Sequence, residues 1–238
     1  MRRVGLALLL TGCAVGTHPP AALKDAGTPE VELVKPFGIP GESMELEASL
    51  RGLSVGRVIT AVGRVGLVDG RRAIIVKSRG QSTGMIALLA ELTWEMTSTI
   101  DLDRGYAIDS REEMWSVLAG EKHHESNTQG DESQHDLHSA IAAVRAWRSL
   151  PGQRAKLGVS FGGSPRPTEL ADTSHGYLVS AHQPAVRYDG IFNDEVHFVV
   201  WVSDDVARVP LRFECDLDHG IGHLVVELVH YTAPAEVP

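Results

Sequence analysis

The stretch from Ser43 to Leu50, which reads SMELEASL, decides the fold class. Its apolar residues Met44, Leu46 and Ala48 alternate with two glutamates and a serine. Because successive side chains of a β-strand point to opposite faces, this period of two predicts a strand with one face towards a core and the other in water. The pattern begins only here, after a proline-containing segment, so the folded body is expected to start near residue 41.

The same alternation recurs along the chain and predicts a meander of antiparallel strands. An Asp69-Gly70 hairpin signal separates two of them. Apart from SMELEASL, the expected strands cover residues 54–61, 73–77, 92–100, 106–110, 156–161, 176–180, 195–203, 209–215 and 223–231. Together they predict a mainly β protein, a curled antiparallel sheet of nine or ten strands that is half-open or nearly closed like a barrel.

One helix interrupts these strands. Leu137, Ile141, Val144 and Trp147 recur at helical spacing, and the helix is expected to run to residue 148. Ser133 or Asp136 could cap its start, and Pro151-Gly152 ends it. The sequence therefore predicts a single α-helix packed against the sheet.

The N-terminal stretch MRRVGLALLLTGC indicates export. Arg2 and Arg3 precede an apolar run that is too short to span a membrane, and small residues lead into Cys13. This order resembles a bacterial lipobox, which implies cleavage before Cys13 and acylation of that cysteine with fatty acids such as palmitate. A plain signal peptide with an incidental cysteine is the alternative.

The expected organisation has three parts. Residues 1–12 form the signal peptide, residues 13–40 form the lipidated cysteine and a flexible, proline-containing tether, and residues 41–233 form a single β-rich domain. Ala14 follows the cysteine, and the sorting rule that comes with the lipobox resemblance then implies the outer membrane of a Gram-negative host.

The composition limits the partners. A net charge of −9 disfavours binding to nucleic acid, because phosphate backbones repel an acidic chain. With Cys13 acylated, Cys215 is the second of two cysteines and is expected to be a small core side chain. No later segment is long and apolar enough to cross a bilayer, so the expected contact with the membrane is the lipid anchor.

Four histidines are candidate metal ligands: His123, His124, His135 and His138. Acidic residues accompany them, and imidazole with carboxylate suits a transition metal. The spacing matches no established zinc motif, however. The alternative is a solvated, mobile loop over residues 116–134 that carries incidental histidines.

The sequence contains no recognisable catalytic motif. It lacks a G-x-S-x-G elbow and a phosphate-binding loop, so we expect neither catalytic residues nor a cofactor. Trp94, Met96 and Trp201 lie on alternating strands and are the candidates to line a concave binding face, with burial in the core as the alternative.

Three stretches together resemble a family of bacterial envelope proteins, domain of unknown function 3108 (DUF 3108). They are FGIPGE at residues 37–42, QHDLHS at residues 134–139, and WVSDD at residues 201–205 followed by the strands up to residue 231. The resemblance implies an exported β-rich domain without an assigned activity, and it supplies no catalytic residues. The last stretch is also similar to lipoprotein carriers and receptors of the LolA and LolB type, which implies a curved sheet that shields an apolar cavity.

These observations lead to one expected function and two alternatives. The first is a non-enzymatic, outer-membrane-anchored lipoprotein that faces the periplasm and binds a hydrophobic or glycan component of the envelope. The second is a structural or assembly factor for envelope proteins. The third is a metal-dependent hydrolase that uses the histidine-rich segment.

Overall fold

The computed structural model describes residues 39–118, 120–129, 134–161, 164–193, 195–217 and 221–234. These residues form twelve strands and two helices, in a mainly β architecture. The strands are β1 (Ser43–Leu50), β2 (Leu53–Val68), β3 (Arg71–Ser82), β4 (Ala90–Asp101), β5 (Ala107–Leu118), β6 (Glu121–Gln129), β7 (Arg154–Phe161), β8 (Ser164–Leu178), β9 (Gln183–Phe192), β10 (Val196–Ser203), β11 (Pro210–Leu217) and β12 (Gly222–Thr232). The helices are α1 (Gly84–Leu89) and α2 (Leu137–Ala146).

The twelve strands form one antiparallel sheet in the order β6-β5-β4-β3-β2-β1-β12-β11-β10-β9-β8-β7. Strands that follow one another in the chain pair with each other, except β6 and β7, and the first strand pairs with the last. The first and last described strands therefore lie in the middle of the sheet, with β6 and β7 at its two edges. The predicted fold class is confirmed, with two or three more strands than expected.

The hairpin between β2 and β3 has the predicted turn. Asp69 and Gly70 have φ values of 50° and 78°, the two consecutive positive angles of a type I′ turn. An aspartate tolerates this left-handed region better than most residues do, and glycine adopts it without steric cost. This short signal thus fixes the position at which the chain reverses.

Helix α2 begins where the sequence predicts. Asp136 is its N-cap, because the Asp136 carboxylate accepts a hydrogen bond from the Ser139 amide while the Ser139 hydroxyl accepts one from the Asp136 amide. Such reciprocal capping satisfies two amides that the first helical turn leaves unpaired. The helix ends at Ala146, two residues before the predicted end. The short helix α1 was not predicted.

Two predictions about connecting segments are wrong. The expected loop over residues 116–134 contains the end of β5 and the edge strand β6, which pairs with β5 from Glu121 to Gln129. Strand β9 was missed because a proline, an aspartate and a glycine lie within it. In both strands backbone pairing to a neighbour outweighs the local preferences of the side chains.

The predicted signal peptide, Cys13 and the tether up to residue 38 lie outside the described residues. The described strands run from Ser43 to Thr232, and the domain bounds at residues 41 and 233 stay a prediction. Within the described ranges, neither helix has the length and apolar character that a membrane span requires.

Candidate functional site

Helix α2 contacts both halves of the sheet. Ala142 and Ala146 belong to a buried cluster with residues of β2, β3 and β4. Val144 and Trp147 belong to another with residues of β7, β8, β9 and β10. Since one ten-residue helix touches strands so far apart in the sheet order, the sheet must curl around it. The concave face is therefore occupied by the chain's own helix.

One stripe of helix α2 is less covered than the rest. Ile141 is 37 % exposed, although eight of the ten helical residues are buried. On a helix, Ile141 lies on the same side as Leu137 and Val144, four residues before it and three after it. Leu137 and Val58 of β2 pack against one buried cluster, and Val144 shares another with Val200 of β10. The exposed Ile141 lies one helical turn from each of these two residues of the helix.

The sheet opposite this stripe is also incompletely covered. Its inner-facing apolar residues pack against the buried clusters but are themselves only half-buried. We call these residues, together with Ile141, the inner crevice: Val58, Ile141, Phe198, Val200, Phe213 and Val226. Apolar side chains that face a protein interior and still contact solvent indicate space that the helix does not fill.

A glycine forms part of the wall of the crevice. Gly190 of β9 is paired with Phe198 of β10, and a Cβ built on Gly190 would come within 2.2 Å of the Phe198 ring. The ring therefore lies directly over the backbone of Gly190. It also stacks on Phe213 at 5.7 Å between centroids. The absence of a side chain at residue 190 sets the position of both rings.

Polar groups border the crevice on one side. The Thr60 hydroxyl is 2.7 Å from the Ser78 hydroxyl, and Ser78 is 2.7 Å from Nε2 of His138. Nδ1 of His138 is 2.7 Å from the Ser98 hydroxyl. Thr60 is half-buried, whereas the other three are buried. This chain of hydrogen bonds places a hydroxyl group beside an otherwise apolar surface.

Burial keeps the His138 ring neutral. Desolvation lowers the pKa of His138 from 6.5 to about 4, against the smaller opposing effect of the nearby Asp136 carboxylate. A neutral imidazole has one donor and one acceptor nitrogen, which suits the two serines on either side. His138 therefore ties helix α2 to β3 and β4 as a structural group.

A buried ion pair fixes the C-terminal end of helix α2. Arg145 donates to both carboxylate oxygens of Glu42, at 2.5 and 2.9 Å, and to the backbone oxygens of Ala207 and Arg208. The Tyr231 hydroxyl donates to Glu42 at 3.1 Å. Desolvation, reinforced by the Glu42 charge, raises the pKa of Tyr231 to about 12, so this phenol stays protonated. The start of the domain, the helix and the β10–β11 turn are thereby joined.

A second buried polar network lies nearby and was not anticipated from the sequence. Asp172 accepts hydrogen bonds from Ser149 at 2.5 Å and from Nε2 of His175 at 3.1 Å. Ser149 is also 2.9 Å from the Tyr188 hydroxyl, to which Arg208 donates. Because the Ser149 hydroxyl is bonded to the carboxylate and not to the imidazole, this arrangement does not activate the serine as a nucleophile.

The candidate binding residues do not share one surface. Trp94 and Met96 lie on the inner face but are buried, at 5 % and 6 % exposure, beneath Leu137 of the helix. Trp201 is half-buried and points to the opposite face from Val200 and Val202, because side chains alternate along a strand. The Arg187 guanidinium lies 5.6 Å from its ring centroid.

The four histidines are divided between two environments. His123 and His124 are exposed on edge strand β6, where His124 stacks on Trp115 at 5.2 Å. His135 and His138 are buried, and His135 stacks on Tyr106 at 4.4 Å. Among the described residues, no group of three or more His, Cys, Asp or Glu side chains is arranged to hold a metal ion. The structure thus does not bring the four candidate ligands together.

Of the two cysteines, Cys215 lies among the described residues and Cys13 does not. Cys215 is 4 % exposed and lies in a buried cluster with Ala48, Phe192 and Leu224, so its prediction as a core side chain is confirmed. Cys13, the predicted lipidation site, lies outside the described residues, and its acylation stays a prediction.

The chain matches no protein-family model and no curated protein. Among solved structures it is similar to a beta-barrel-like protein of domain of unknown function DUF1849 from Brucella abortus. The TM-score is 0.56 at 8 % identity, over 83 % of this chain and 99 % of that one. The likeness is one of fold. At this identity it shows a β-barrel-like architecture and nothing about activity.

Two further structures match less closely. One is provisionally described as an exported protein with a YmcC-like fold, from Bacteroides fragilis, and the other as a lipoprotein, from Parabacteroides distasonis. Each has a TM-score of 0.35 and 7 % identity over 85 % of this chain, and the match covers 99 % and 100 % of the other chain, respectively. The resemblance to DUF 3108 has no support from a family model and stays a prediction.

Proposed function

We propose that this protein is a lipid-anchored binding module of the bacterial envelope that holds one acyl chain of a hydrophobic component in the inner crevice. The observation that carries the proposal is the set of half-buried apolar side chains on the inner face, opposite the exposed Ile141. A well-packed core leaves few such surfaces, and apolar pockets with a few polar groups at the border are the usual form of small-molecule sites.

The shape of the site favours a slender ligand. Helix α2 packs on both halves of the curled sheet, and its less covered stripe is the one around Ile141. A single acyl chain along that stripe would need less room beside the helix than a two-chain lipid. The half-buried Thr60 hydroxyl, bonded to Ser78, can pair with a polar head group at the border.

The proposed location of the protein in the cell is argued from its sequence. The lipobox-like stretch before Cys13 and the resemblance to DUF 3108 favour an exported protein with an acylated N-terminus. The residue after Cys13 favours the outer membrane, with the domain facing the periplasm. A ligand that is itself a component of the envelope would be available there.

The proposal is tested with the mature chain carrying Cys13→Ser, which removes the attached lipid that would confuse the measurement. A fluorescent fatty acid should bind this protein, and unlabelled single-chain fatty acids should displace it more strongly than two-chain phospholipids. Ile141→Trp should fill the crevice and weaken binding at least several-fold.

Leu88→Trp is the matched control. Leu88 is 86 % exposed on helix α1 and is in none of the buried clusters of the described residues, so the same substitution there should leave binding unchanged. Equal affinity in Ile141→Trp, Leu88→Trp and the parent would refute binding in the crevice. Stability of each variant is followed by thermal unfolding, so that loss of the ligand site is separated from loss of the fold.

A second candidate function is that of an assembly factor for another envelope protein, which the edge strand β6 favours. Strand β6 pairs with β5 on one side, and its residues from Glu121 to Ser126 are exposed. An exposed edge can accept a strand from a partner, although its charged side chains oppose non-specific pairing. Site-specific crosslinking from Lys122 in cells would support this function if one envelope protein were captured repeatedly and lost when Asn127→Pro disrupts the edge.

A further inference from the structure

Four exposed apolar side chains lie on connections at one end of the sheet. Leu150 follows helix α2, Tyr177 and Val179 lie at the β8–β9 hairpin, and Val206 lies in the β10–β11 turn. Their exposed fractions are 66 %, 58 %, 72 % and 91 %. We call these four residues the apolar rim. Single exposed apolar residues are common on proteins, but a group on neighbouring loops indicates an interaction surface.

Hydrogen bonds hold these connections beside one another. A side-chain nitrogen of Arg148 donates to the backbone oxygen of Val206 at 3.2 Å, which joins the end of helix α2 to the β10–β11 turn. The amide of Asp204 donates to the backbone oxygen of Pro184 at 3.0 Å, which joins that turn to the β8–β9 hairpin. The rim is therefore a fixed feature of the fold.

The N-terminal segment enters the domain at the same end. Glu42, next to the first described residues, is bound by Arg145, which also donates to the backbone oxygen of Ala207 at 2.9 Å. Ala207 adjoins Val206 of the rim. The first described residues, which follow the segment that carries Cys13, therefore lie at the same end of the sheet as the rim.

We propose that the apolar rim inserts into the interfacial layer of the membrane leaflet that holds the acylated Cys13. This inference rests on the lipid anchoring in the proposed function. Residues 14–38 can span at most about 90 Å when fully extended, so an anchored domain stays close to the membrane. At such a distance even a weak attraction is sufficient to keep the rim at the surface.

The polar groups of the rim are compatible with shallow insertion. One carboxylate oxygen of Asp205 accepts hydrogen bonds from the Ser203 hydroxyl and from the amides of Ala207 and Arg208, so the turn itself supplies partners for that charge. Tyr177 belongs to the residue types that are enriched at membrane interfaces. The surface thus combines apolar tips with polar groups that can remain at the level of the lipid head groups.

The test compares two label positions in the lipidated full-length mature chain. Val206→Cys is labelled with an environment-sensitive fluorophore at the rim, and Leu53→Cys carries the same label at the β1–β2 turn, at the opposite end of the sheet. Leu53 is 67 % exposed, so the two sites differ in position more than in exposure. Cys215 is buried and should not react. The proteins are reconstituted on vesicles of phosphatidylethanolamine and phosphatidylglycerol.

The label at residue 206 should shift its emission to shorter wavelength on the vesicles and should be quenched by lipids with spin-labelled acyl chains, whereas the label at residue 53 should not respond. Equal responses at the two positions, or none, would overturn the proposal. A blue shift at residue 206 that grows with protein concentration without quenching would show that a second copy covers the rim, which also overturns it. Failure of the chain to sediment with vesicles would refute the lipid anchor itself, whereas sedimentation without quenching would refute the rim alone.

Discussion

Replacing His138 with glutamine should make the folding stability less dependent on pH. In the folded protein, burial between Ser78 and Ser98 lowers the pKa of the His138 ring to about 4, whereas an unfolded histidine has a pKa of 6.5. The unfolded state therefore binds more protons than the folded state between these two values. Stability is fully present above about pH 6.5 and is lost as the pH falls towards 4.

The size of the effect follows from the two pKa values. Going from about pH 7.5 to about pH 5 should remove about 2 kcal/mol of the free energy of unfolding through His138 alone. His135 contributes in the same direction, since desolvation lowers its pKa to about 4 as well. Because Asp136 lies near both rings and raises both pKa values, the two contributions should not be strictly additive.

The measurement is urea unfolding of the parent and of His138→Gln at these two pH values. The variant should be less stable at neutral pH, because its amide cannot reproduce both serine contacts, but the loss of stability on acidification should be smaller by about 2 kcal/mol. His123→Gln is the control, since His123 is exposed on β6 and should not change the pH dependence. An unchanged dependence in His138→Gln would show that the ring takes up its proton without unfolding, and would refute the assignment of the buried ring as neutral.

Two further substitutions test the packing and the buried charges. Gly190→Ala should lower the free energy of unfolding by about 1–3 kcal/mol, because the new Cβ meets the ring of Phe198. Gly176→Ala is the control and should have little effect, since no atom lies within 4 Å of a Cβ built on Gly176. Equal losses of stability in the two variants would contradict the close approach of the ring to Gly190. Glu42→Gln should lower the free energy of unfolding by about 3–5 kcal/mol, because it leaves the buried Arg145 without a counter-charge. Glu45→Gln breaks an exposed ion pair with Arg57 and should lower it by less than about 1 kcal/mol. Denaturant unfolding measures both values, and similar losses in the two variants would contradict the reasoning.

The sequence predicts those strands whose two faces meet different surroundings. The sequence of β1 alternates between apolar and polar residues, and β4 alternates between buried and less buried residues, because one face of the strand packs on the core. The Asp69-Gly70 turn and the Asp136 cap were also predictable, since both depend on local backbone conformations that few residue types favour. These local signals were sufficient to predict a curled antiparallel sheet with one packed helix.

Strands whose sequences do not alternate between apolar and polar residues were not predicted. Strand β6 is exposed on both faces, so its sequence has no apolar period and resembles a loop. Strand β9 contains Pro184 and Gly190, which usually interrupt strands. In this fold Gly190 is required by the ring of Phe198 on the adjacent strand, a reason that only the tertiary structure reveals.

The buried polar networks could not be predicted from the sequence either. Glu42 and Arg145 are 103 residues apart and meet because helix α2 packs beside the start of β1. His138 was a candidate metal ligand because other histidines lie near it in the sequence, but in the fold its hydrogen-bond partners are Ser78 of β3 and Ser98 of β4. Spacing along the chain indicates a shared site only when the residues belong to one element or to adjacent ones.

The composition of helix α2 explains why the candidate site is a narrow crevice and not an open cavity. Ala142 and Ala146 let the helix backbone approach β2, β3 and β4 closely, so that side of the concave face is filled. Val144 packs on the other half of the sheet, whereas Ile141 is in none of the buried clusters of the described residues and is 37 % exposed. The less covered part of the helix is therefore the stripe around Ile141. This stripe runs along the helix, and for that reason we propose a single extended acyl chain as the ligand.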